Sequence, residues 1–577
     1  MPDQHPDESD SASSSVSATF SPQSALPRAT RKMAPMSPTY DRLEAGRPPP
    51  KQSMKFGWKK FAIGATALLV FVWLFVPKEK RHLPSWGSST PEFDDEVLSG
   101  PPTRPPTQPP AKTPPNHADE DVQHPKSFEE DNDPAGTTYC KKAHSSAEHL
   151  VQYGLMLDAG STGSRIHVYK FNNCGPQPVY EYEVFKMTEP GNGLSSFAGR
   201  PSAAAASLDT LMDEAMRVVP ASLRKCTPVA VRATAGLRLL PGSQATDILN
   251  AVTDRLRDKY PFALPSTDAV TIMDGADEAV FAWVTANYLL GSLRADAPAN
   301  TPTFAVLDLG GASTQITFAP VDSAPLLEGD HKYALEFAGT TRTLYQHSYL
   351  GYGLMRARAS VHRVVEFMSS LHAGPQSGAV VPNPCIARDT RRTVQLPLPD
   401  SATKDYIMDG GSVGSFDACA KIVDLVLAKD AVCTMRPCAF GGVYQPALAD
   451  AFPEKSGRVL LLSYFYDRVA PLMPVPAGDA QLTTTVDAIK KLAEVVCKGR
   501  EEWLPRWGTN TKLMAELEGR PEWCLDLTFM HRLLRIGYEF DGEREVMFGK
   551  KIAGTELGWC LGAGFKLVGG VDVQCRV

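Results

Sequence analysis

Hydrophobic positions divide this chain into contrasting parts. One uncharged run, residues 61–76 (FAIGATALLVFVWLFV), stands between two polar segments. Beyond about residue 140, strand-like runs such as 155–160 (LMLDAG) and 304–311 (FAVLDLGG) alternate with helical stretches such as 277–290 (DEAVFAWVTANYLL). This alternation predicts an α/β fold for the larger, C-terminal part of the chain.

The uncharged run predicts a transmembrane helix, although its sixteen residues are fewer than the roughly 20 of an average span. A cleaved signal peptide would lie nearer the start and end in small residues, whereas Pro77 and Lys78 follow here. Six lysines and arginines lie in residues 41–60 and three in 77–96. The positive-inside rule therefore places the N-terminus in the cytosol and the rest in the lumen. A short span with bulky Phe and Trp suits the thinner membranes of the early secretory pathway.

Composition defines the segments on either side of this helix. Residues 1–60 form a predicted disordered cytosolic tail, because Ser, Pro and Ala dominate it and few large apolar residues are present. Residues 77–139 form a predicted lumenal stem, with thirteen prolines before residue 136. We expect the stem to be extended and to hold the following domain, residues 140–577, away from the membrane.

Charge and cysteine content restrict the kind of protein further. The net charge of −6 and the pI near 6.1 give no sign of a nucleic-acid partner. All eleven cysteines follow residue 139 and no CxxC pair occurs, which argues against a zinc ribbon. A lumenal location favours disulfides. Cys433 with Cys438, and Cys497 with Cys524, are candidate pairs, and the odd total leaves at least one thiol free.

A repeated segment carries the candidate chemistry. LMLDAGSTGSRIHVYKF begins at Leu155 and AVLDLGGASTQITFAP begins at Ala305, 150 residues later. Each contains an apolar strand, an Asp at its end, a Gly-rich turn with small hydroxyl residues, and a second alternating strand. The repeat predicts two related lobes that face each other across a cleft.

Both turns have the composition of a phosphate-binding loop, because glycine permits close approach of the backbone and successive N–H groups bind anions. The candidate phosphate-binding residues are Gly160, Ser161, Thr162, Ser164, Arg165, Gly310, Gly311, Ala312, Ser313 and Thr314. Asp158 and Asp308 are placed to hold a divalent cation (Ca, Mg or Mn), directly or through water. Either turn alone would equally fit an ordinary hairpin, whereas two matched turns favour phosphate. Neither is a Walker loop, and neither precedes a helix as a Rossmann turn does.

The two turns and several further motifs resemble one known family. DAGSTGSR and DLGGASTQ are similar to the first and fourth signature regions of the apyrase (nucleoside-triphosphate diphosphohydrolase) family. Other signature-like segments follow in order: VRATAGLRLL (231–240), DGADEAVFAWVTANYLLG (274–291) and ELGWCLGA (556–563). Four further motifs resemble the guanosine/uridine diphosphatase branch in particular: LYQHSYLGYGLMRAR, CAFGGVYQP, SYFYDR and PEWCLDLTFMHRLL.

The resemblance implies a fold of two RNase H-like lobes, of the actin, Hsp70 and hexokinase group. Lobe I would span about residues 150–300 plus part of the C-terminus, and lobe II about 301–550. It assigns Glu278 as the catalytic base, although Asp277 is adjacent and acids often open helices merely to complement the dipole. Ala279 departs from the glycine common at that position in the family.

The resemblance also assigns Ser313 and Gln315 to the attacking water, and both would face one side of a strand. Thr234 would contact phosphate. Tyr464 and Tyr466 are candidates for stacking on the base, with a role in the core as the alternative. Trp559 is expected to line the cleft or to have a structural role.

The implied reaction is in-line attack of water on the terminal phosphorus of a nucleoside diphosphate, without a phosphoenzyme. GDP is the expected substrate, with UDP next, and the expected location is the Golgi lumen, where glycosyl transfer releases these diphosphates. A broad apyrase, an inactive scaffold, and a kinase or chaperone of the same fold are the alternatives. A homodimer is a further partner hypothesis.

Overall fold

The computed structural model describes most of the chain from His124 onward, and the described residues belong to one compact unit. The described ranges are 124–146, 149–160, 163–188, 193–238, 240–266, 268–294, 296–298, 301–373, 380–397, 403–454, 457–474, 481–569 and 575–576. The predicted tail, the predicted transmembrane run and the stem up to residue 123 lie outside them. Within these ranges, no helix has the length and apolar character needed to cross a bilayer.

The first β-sheet has five strands. They are β1 (Val151–Ala159), β2 (Ser164–Asn172), β3 (Val179–Met187), β4 (Val229–Ala233) and β5 (Val270–Ile272). Their order is β3-β2-β1-β4-β5. Strand β2 runs antiparallel to both β1 and β3, whereas β4 runs parallel to β1 and β5 parallel to β4.

The second β-sheet repeats this topology. Its strands are β6 (Ala305–Leu309), β7 (Ser313–Phe318), β8 (Lys332–Phe337), β9 (Thr340–Leu350), β13 (Val459–Ser463), β14 (Leu482–Thr485) and β15 (Glu545–Phe548). Their order is β14-β15-β13-β6-β7-β9-β8, and the five central strands reproduce the first sheet. Strand β7 runs antiparallel to both β6 and β9, whereas β13 runs parallel to β6 and β15 parallel to β13. The repeat in the sequence is therefore a repeat of strand topology, in which β1 corresponds to β6, β2 to β7 and β4 to β13.

Smaller sheets and helices complete the described fold. Strands β10 (Val380–Pro382), β11 (Arg391–Pro397) and β12 (Thr403–Asp409) form a three-stranded sheet, and β16 (Lys551–Ile552) and β17 (Thr555–Glu556) form a hairpin. The α-helices are α1 (Pro201–Ala206), α2 (Asp209–Val218), α3 (Ala235–Arg238), α4 (Gln244–Lys259), α5 (Gly275–Leu289), α6 (Leu354–Ala373), α7 (Phe416–Leu427), α8 (Leu448–Ala451), α9 (Tyr464–Val469), α10 (Val486–Cys497), α11 (Arg500–Trp507), α12 (Thr511–Gly519), α13 (Trp523–Arg532) and α14 (Cys560–Gly569).

Helices cover both faces of the first sheet. Leu155 and Leu157 of β1 belong to a core shared with α2 and α4, whereas Met156 packs in a second core with α5 and α14. Because both faces are covered, β1 and β2 are buried at every position except Gln152 and Arg165. Strands buried on both faces have near-continuous apolar runs rather than strict alternation.

Helix α14 returns from the end of the chain to the first sheet, where it packs on β1 and α5. Gly562 permits this approach, since a Cβ there would lie 2.3 Å from the backbone oxygen of Phe281. The Gly562 amide donates a hydrogen bond to Thr285 Oγ1 at 2.8 Å. Helix α5 is consequently buried on nearly every side, rather than along a single apolar stripe.

A buried ion cluster fixes helix α13 behind the second sheet. Asp526 is fully buried and accepts hydrogen bonds from Arg358 Nε at 2.6 Å and from Arg468 Nε at 2.8 Å. The guanidinium of Arg468 also lies 5.3 Å from the centre of the Tyr464 ring, at the start of α9. The cluster thereby connects the core to helix α9, which lines the cleft described below.

Five disulfides are present: Cys140–Cys174, Cys226–Cys575, Cys385–Cys419, Cys433–Cys438 and Cys497–Cys524. Both pairs predicted from the sequence are confirmed. The predicted unpaired thiol is Cys560, which is buried. Cys226–Cys575 attaches the C-terminal segment to the first half of the domain.

Candidate active site

The two Gly-rich turns occupy equivalent places in the two sheets. Asp158 is the second-to-last residue of β1 and pairs across the hairpin with Arg165. Asp308 is the second-to-last residue of β6 and pairs with Gln315. A Cβ at Gly160 would lie 3.1 Å from both Arg165 Nη2 and the Gly163 backbone oxygen, so the turn is tight enough to favour glycine. The structure therefore presents two matched turns, each with a carboxylate at its base.

The turns line one cleft with a volume of about 560 Å³. The predicted site residues that line it are Asp158, Gly160, Arg165, Thr234, Glu278, Asp308, Gly310, Gly311, Gln315 and Tyr466. Tyr464 and Trp559, the further aromatic candidates, also line it. Residues far apart in sequence thus meet in a single cavity of the size that holds a small-molecule ligand.

Other predicted residues lie elsewhere. Ser161 and Thr162 are outside the described residues. Ala312, Ser313 and the fully buried Ser164 are not among the residues that line the cleft. In contrast to the expected phosphate contact, Thr314 points to the opposite face of β7 from Gln315. Its hydroxyl donates a hydrogen bond to the Asp308 backbone oxygen at 3.0 Å.

Ser313 and Gln315 face the same side of β7, as the sequence predicts. Gln315 Nε2 donates to Ser313 Oγ at 2.7 Å and to Ser348 Oγ at 3.0 Å. The Nε2 group is thus used within the protein, and Gln315 Oε1 is the amide atom available to accept a hydrogen bond from a ligand or water. Ser348 lies on β9 and approaches α5 closely, since a Cβ at Gly275 would be 2.5 Å from Ser348 Oγ.

Glu278 lies in the first turn of α5, which Asp274 caps by accepting a hydrogen bond from the Ala276 amide. Burial raises the pKa of Glu278 to about 8, and the negative charges of Asp308 and Asp158 add to this effect. Arg238 opposes them, with its Nη2 at 3.3 Å from Glu278 Oε2. A carboxyl group with a raised pKa inside a cleft is typical of a general acid or base.

The two aspartates are suited to a cation. Arg165 Nε lies 3.1 Å from Asp158 Oδ2. Burial raises the pKa of Asp308, against a hydrogen bond from Ser463 and the charge of Arg165. Asp158 Oδ1 and Asp308 Oδ1 are buried and have no hydrogen-bond partner among the described residues. Buried carboxylate oxygens without partners, facing one cleft, have the chemistry that a hard divalent cation requires.

An aromatic and charged wall borders the second sheet's side of the cleft. Tyr464, Tyr466 and Asp467 come from α9, and Lys550 comes from the segment that joins β15 to β16. Ser463, immediately before α9, has a left-handed backbone (φ 56°), a conformation that non-glycine residues rarely adopt and that occurs often at functional sites. It sits opposite Leu309 in the sheet, so the wall begins beside the second Gly-rich turn.

Sequence reasoning missed several of these residues. Arg238, Ser348, Asp467 and Lys550 all reach the site or its residues. Arg238, Ser348 and Asp467 lie within the family-like segments quoted above, whereas Lys550 lies in none of them. The SYFYDR segment could have indicated Asp467, because it adjoins the candidate stacking tyrosines. In the same way, Arg238 shares its segment with Thr234, the candidate phosphate contact. Nothing in the local pattern distinguishes Ser348 or Lys550 from other polar residues.

A duplicated sheet, a cleft with paired phosphate-type turns and a buried carboxyl group define a class of α/β phosphohydrolase sites. The model of the GDA1/CD39 (nucleoside phosphatase) family matches residues 144–577, and the chain belongs to that family. This confirms the family resemblance inferred from the motifs.

Relatives and solved structures agree with this assignment. The chain is 42% identical over 507 residues to the guanosine-diphosphatase of Schizosaccharomyces pombe, covering 86% of each chain. It is 43% identical over 443 residues to the guanosine-diphosphatase of Saccharomyces cerevisiae, covering 75% of this chain and 83% of the relative. Its fold is that of a nucleoside triphosphate hydrolase from Neospora caninum, with a TM-score of 0.51, 14% identity, and coverage of 73% of this chain and 93% of that chain.

Proposed function

We propose that this protein hydrolyses nucleoside diphosphates, GDP first and UDP next, to the monophosphate and phosphate. The observation that carries the proposal is the position of Glu278. Its buried carboxyl group lines the same cleft as both Gly-rich turns, beside Gln315 and Asp308. The relatives named guanosine-diphosphatase support the choice of substrate.

The geometry supports a direct attack by water. Gln315 Oε1 accepts one hydrogen bond from the water, and Glu278 takes the proton that leaves as the water attacks the terminal phosphorus. Arg165 and the backbone N–H groups of the Gly-rich turns bind the oxygens on which charge develops. Asp158 and Asp308 would hold a divalent cation, directly or through water, and the cation would supply further positive charge beside the phosphates.

We further propose that this site lies between two lobes of a membrane-anchored, lumenal enzyme. The two sheets, with α14 added to the first, correspond to the two RNase H-like lobes of the actin group. The basic residues before the run at 61–76 and the five disulfides support a membrane anchor with the domain in the Golgi lumen. Removal of the diphosphate there would support glycosylation by clearing the transferase product.

Phosphate release by the full-length protein tests the proposal. GDP, UDP, ADP, ATP and GMP would each be supplied with Ca²⁺, Mg²⁺ or Mn²⁺, beside the Glu278→Gln variant and an Asp277→Asn control. We expect cation-dependent release from GDP and UDP that is lost only in Glu278→Gln. Release mainly from the triphosphates would indicate a broad apyrase, and no release with any cation would refute hydrolysis.

A further inference from the structure

A carboxylate and an ammonium group lie together in the aromatic wall of the cleft. Lys550 Nζ is 3.1 Å from Asp467 Oδ1, and it also lies 6.0 Å from the centre of the Tyr466 ring. Tyr464, Tyr466, Asp467 and Lys550 all line the cleft. The phosphate chemistry described above uses none of these side chains.

Two chain segments place this pair at the end of the wall. Asp467 lies in the first turn of α9, three residues after Tyr464. Lys550 follows Gly549, whose amide donates a hydrogen bond to the Leu461 backbone oxygen in β13 at 3.1 Å. Because β13 also leads into α9, both members of the pair are fixed by the same strand. They are thereby held next to the tyrosines that are candidates for stacking on a base.

The pair retains hydrogen-bonding capacity. An ammonium group has three N–H donors and a carboxylate has two acceptor oxygens, and the contact between them uses one of each. About 41% of the Asp467 side chain and 51% of the Lys550 side chain are exposed, so a ligand in the cleft can reach both. The wall therefore offers an acceptor and a donor side by side, beside a surface suited to stacking.

We propose that Asp467 and Lys550 select the base of the substrate, which extends the diphosphatase activity proposed above. The carboxylate accepts the ring N–H of the base, and the ammonium donates to the adjacent carbonyl oxygen. Guanine, hypoxanthine and uracil present this ring N–H beside a carbonyl. Adenine and cytosine present the reverse order, with an unprotonated ring nitrogen beside an amino group.

The order of donor and acceptor on the base edge matters because the bound base cannot rotate to present another edge. The diphosphate is fixed at the Gly-rich turns and stacking fixes the plane of the ring, so the base presents one edge in one direction. Adenine and cytosine would then place an acceptor against Asp467 and a donor against Lys550. The pair therefore selects for a base that presents a ring N–H beside a carbonyl oxygen.

The test is a comparison of kcat/KM for GDP, IDP, UDP, ADP and CDP in the full-length protein, with Asp467→Asn and Lys550→Met. A bidentate pair of hydrogen bonds discriminates between bases by roughly 10-fold to 100-fold. We expect the wild type to favour GDP, IDP and UDP over ADP and CDP by about that factor, and Asp467→Asn to remove most of it, because an amide both accepts and donates. GMP should inhibit the wild type more strongly than AMP, and this difference should shrink in Asp467→Asn.

Lys551→Met is the matched control. Lys551 lines the same cleft with a similar exposure, but its ion pair is with Glu556 at 3.6 Å. Loss of the Lys551 ammonium group should change kcat/KM for all five substrates by one common factor. It should leave the ratio of kcat/KM for GDP to that for ADP unchanged. If Asp467→Asn and Lys550→Met also leave that ratio intact while GDP is still hydrolysed, base selection by this pair is refuted and the diphosphatase assignment stands. No hydrolysis of any diphosphate by the wild type would instead refute the activity itself.

Discussion

Replacement of Glu278 by glutamine should stabilise the folded protein while it abolishes hydrolysis. Burial and the nearby charges of Asp308 and Asp158 raise the pKa of Glu278 from 4.5 to about 8. The folded protein therefore binds this proton more tightly than the unfolded chain does. The stability that the protonated group contributes is complete below pH 4.5 and is lost as the pH rises towards 8.

The size of the effect follows from the same two values. Each pKa unit corresponds to ~1.4 kcal/mol. Relative to the fully protonated state, ionisation of Glu278 therefore lowers the free energy of unfolding by about 3 kcal/mol at pH 7 and by about 1 kcal/mol at pH 5. Glutamine has a similar shape and no charge at either pH. The Glu278→Gln variant should thus gain about 2 kcal/mol relative to the wild type between pH 5 and pH 7.

Urea unfolding of the full-length protein at pH 5, 6, 7 and 8, followed by tryptophan fluorescence with a chelator present, measures this difference. Activity measured in parallel with GDP and a divalent cation should fall by about 100-fold or more, as expected for loss of a general base. Asp277→Asn is the matched control, since Asp277 is the adjacent acid and its carboxylate accepts a bond of 3.4 Å from the Tyr333 hydroxyl. Equal pH dependence of stability in Glu278→Gln and the wild type would refute the reasoning.

Three further outcomes are expected. Gln315→Leu should lower kcat for GDP by about 100-fold with little change in KM, because it removes a contact to the attacking water; an unchanged kcat would contradict the role. Asp526→Asn should lower the free energy of unfolding by about 3 kcal/mol or more, because two buried guanidinium groups lose their counter-charge. The control Glu518→Gln, in an exposed ion pair, should change the free energy of unfolding by less than about 0.5 kcal/mol. Gly562→Ala should cost about 1–3 kcal/mol in calorimetry, because its Cβ would lie 2.3 Å from a backbone oxygen of α5; Gly569→Ala, whose Cβ would meet no described atom within 4 Å, should not.

Local sequence patterns predicted the parts of the site that depend on neighbouring residues. Strands β1 and β6, the glycines of the two turns and the position of Glu278 in the first turn of α5 all follow from hydrophobic periodicity and composition. The shared face of Ser313 and Gln315 follows from the two-residue period of a strand. The same period places Thr314 on the other face, so the sequence already contained the reason that its side chain faces the core.

Contacts between distant segments could not be predicted in this way. Arg238 reaches Glu278 across 40 residues and Ser348 reaches Gln315 across 33. Periodicity predicts which face of an element is buried, but not which residue of another element meets it. The burial of α5 on nearly every side has the same origin, because α14 arrives from the end of the chain. That burial is also what raises the pKa of Glu278.

The duplicated hairpins hold different chemistry at the same position, and this difference gives the cleft a direction. Asp158 is paired across its hairpin with Arg165, whereas Asp308 is paired with Gln315. Arg165 places positive charge on the first sheet's side, where phosphate oxygens can be bound. On the second sheet's side the equivalent position carries a neutral amide. The charge that acts most strongly on the pKa of Glu278 is that of Asp308. An arginine in place of Gln315 would favour ionised Glu278 but would bind the phosphate in the place of the water. In the mechanism proposed above, a neutral amide there would orient water without competing for phosphate, so the divergence of the two hairpins would separate the binding of the substrate from the activation of water.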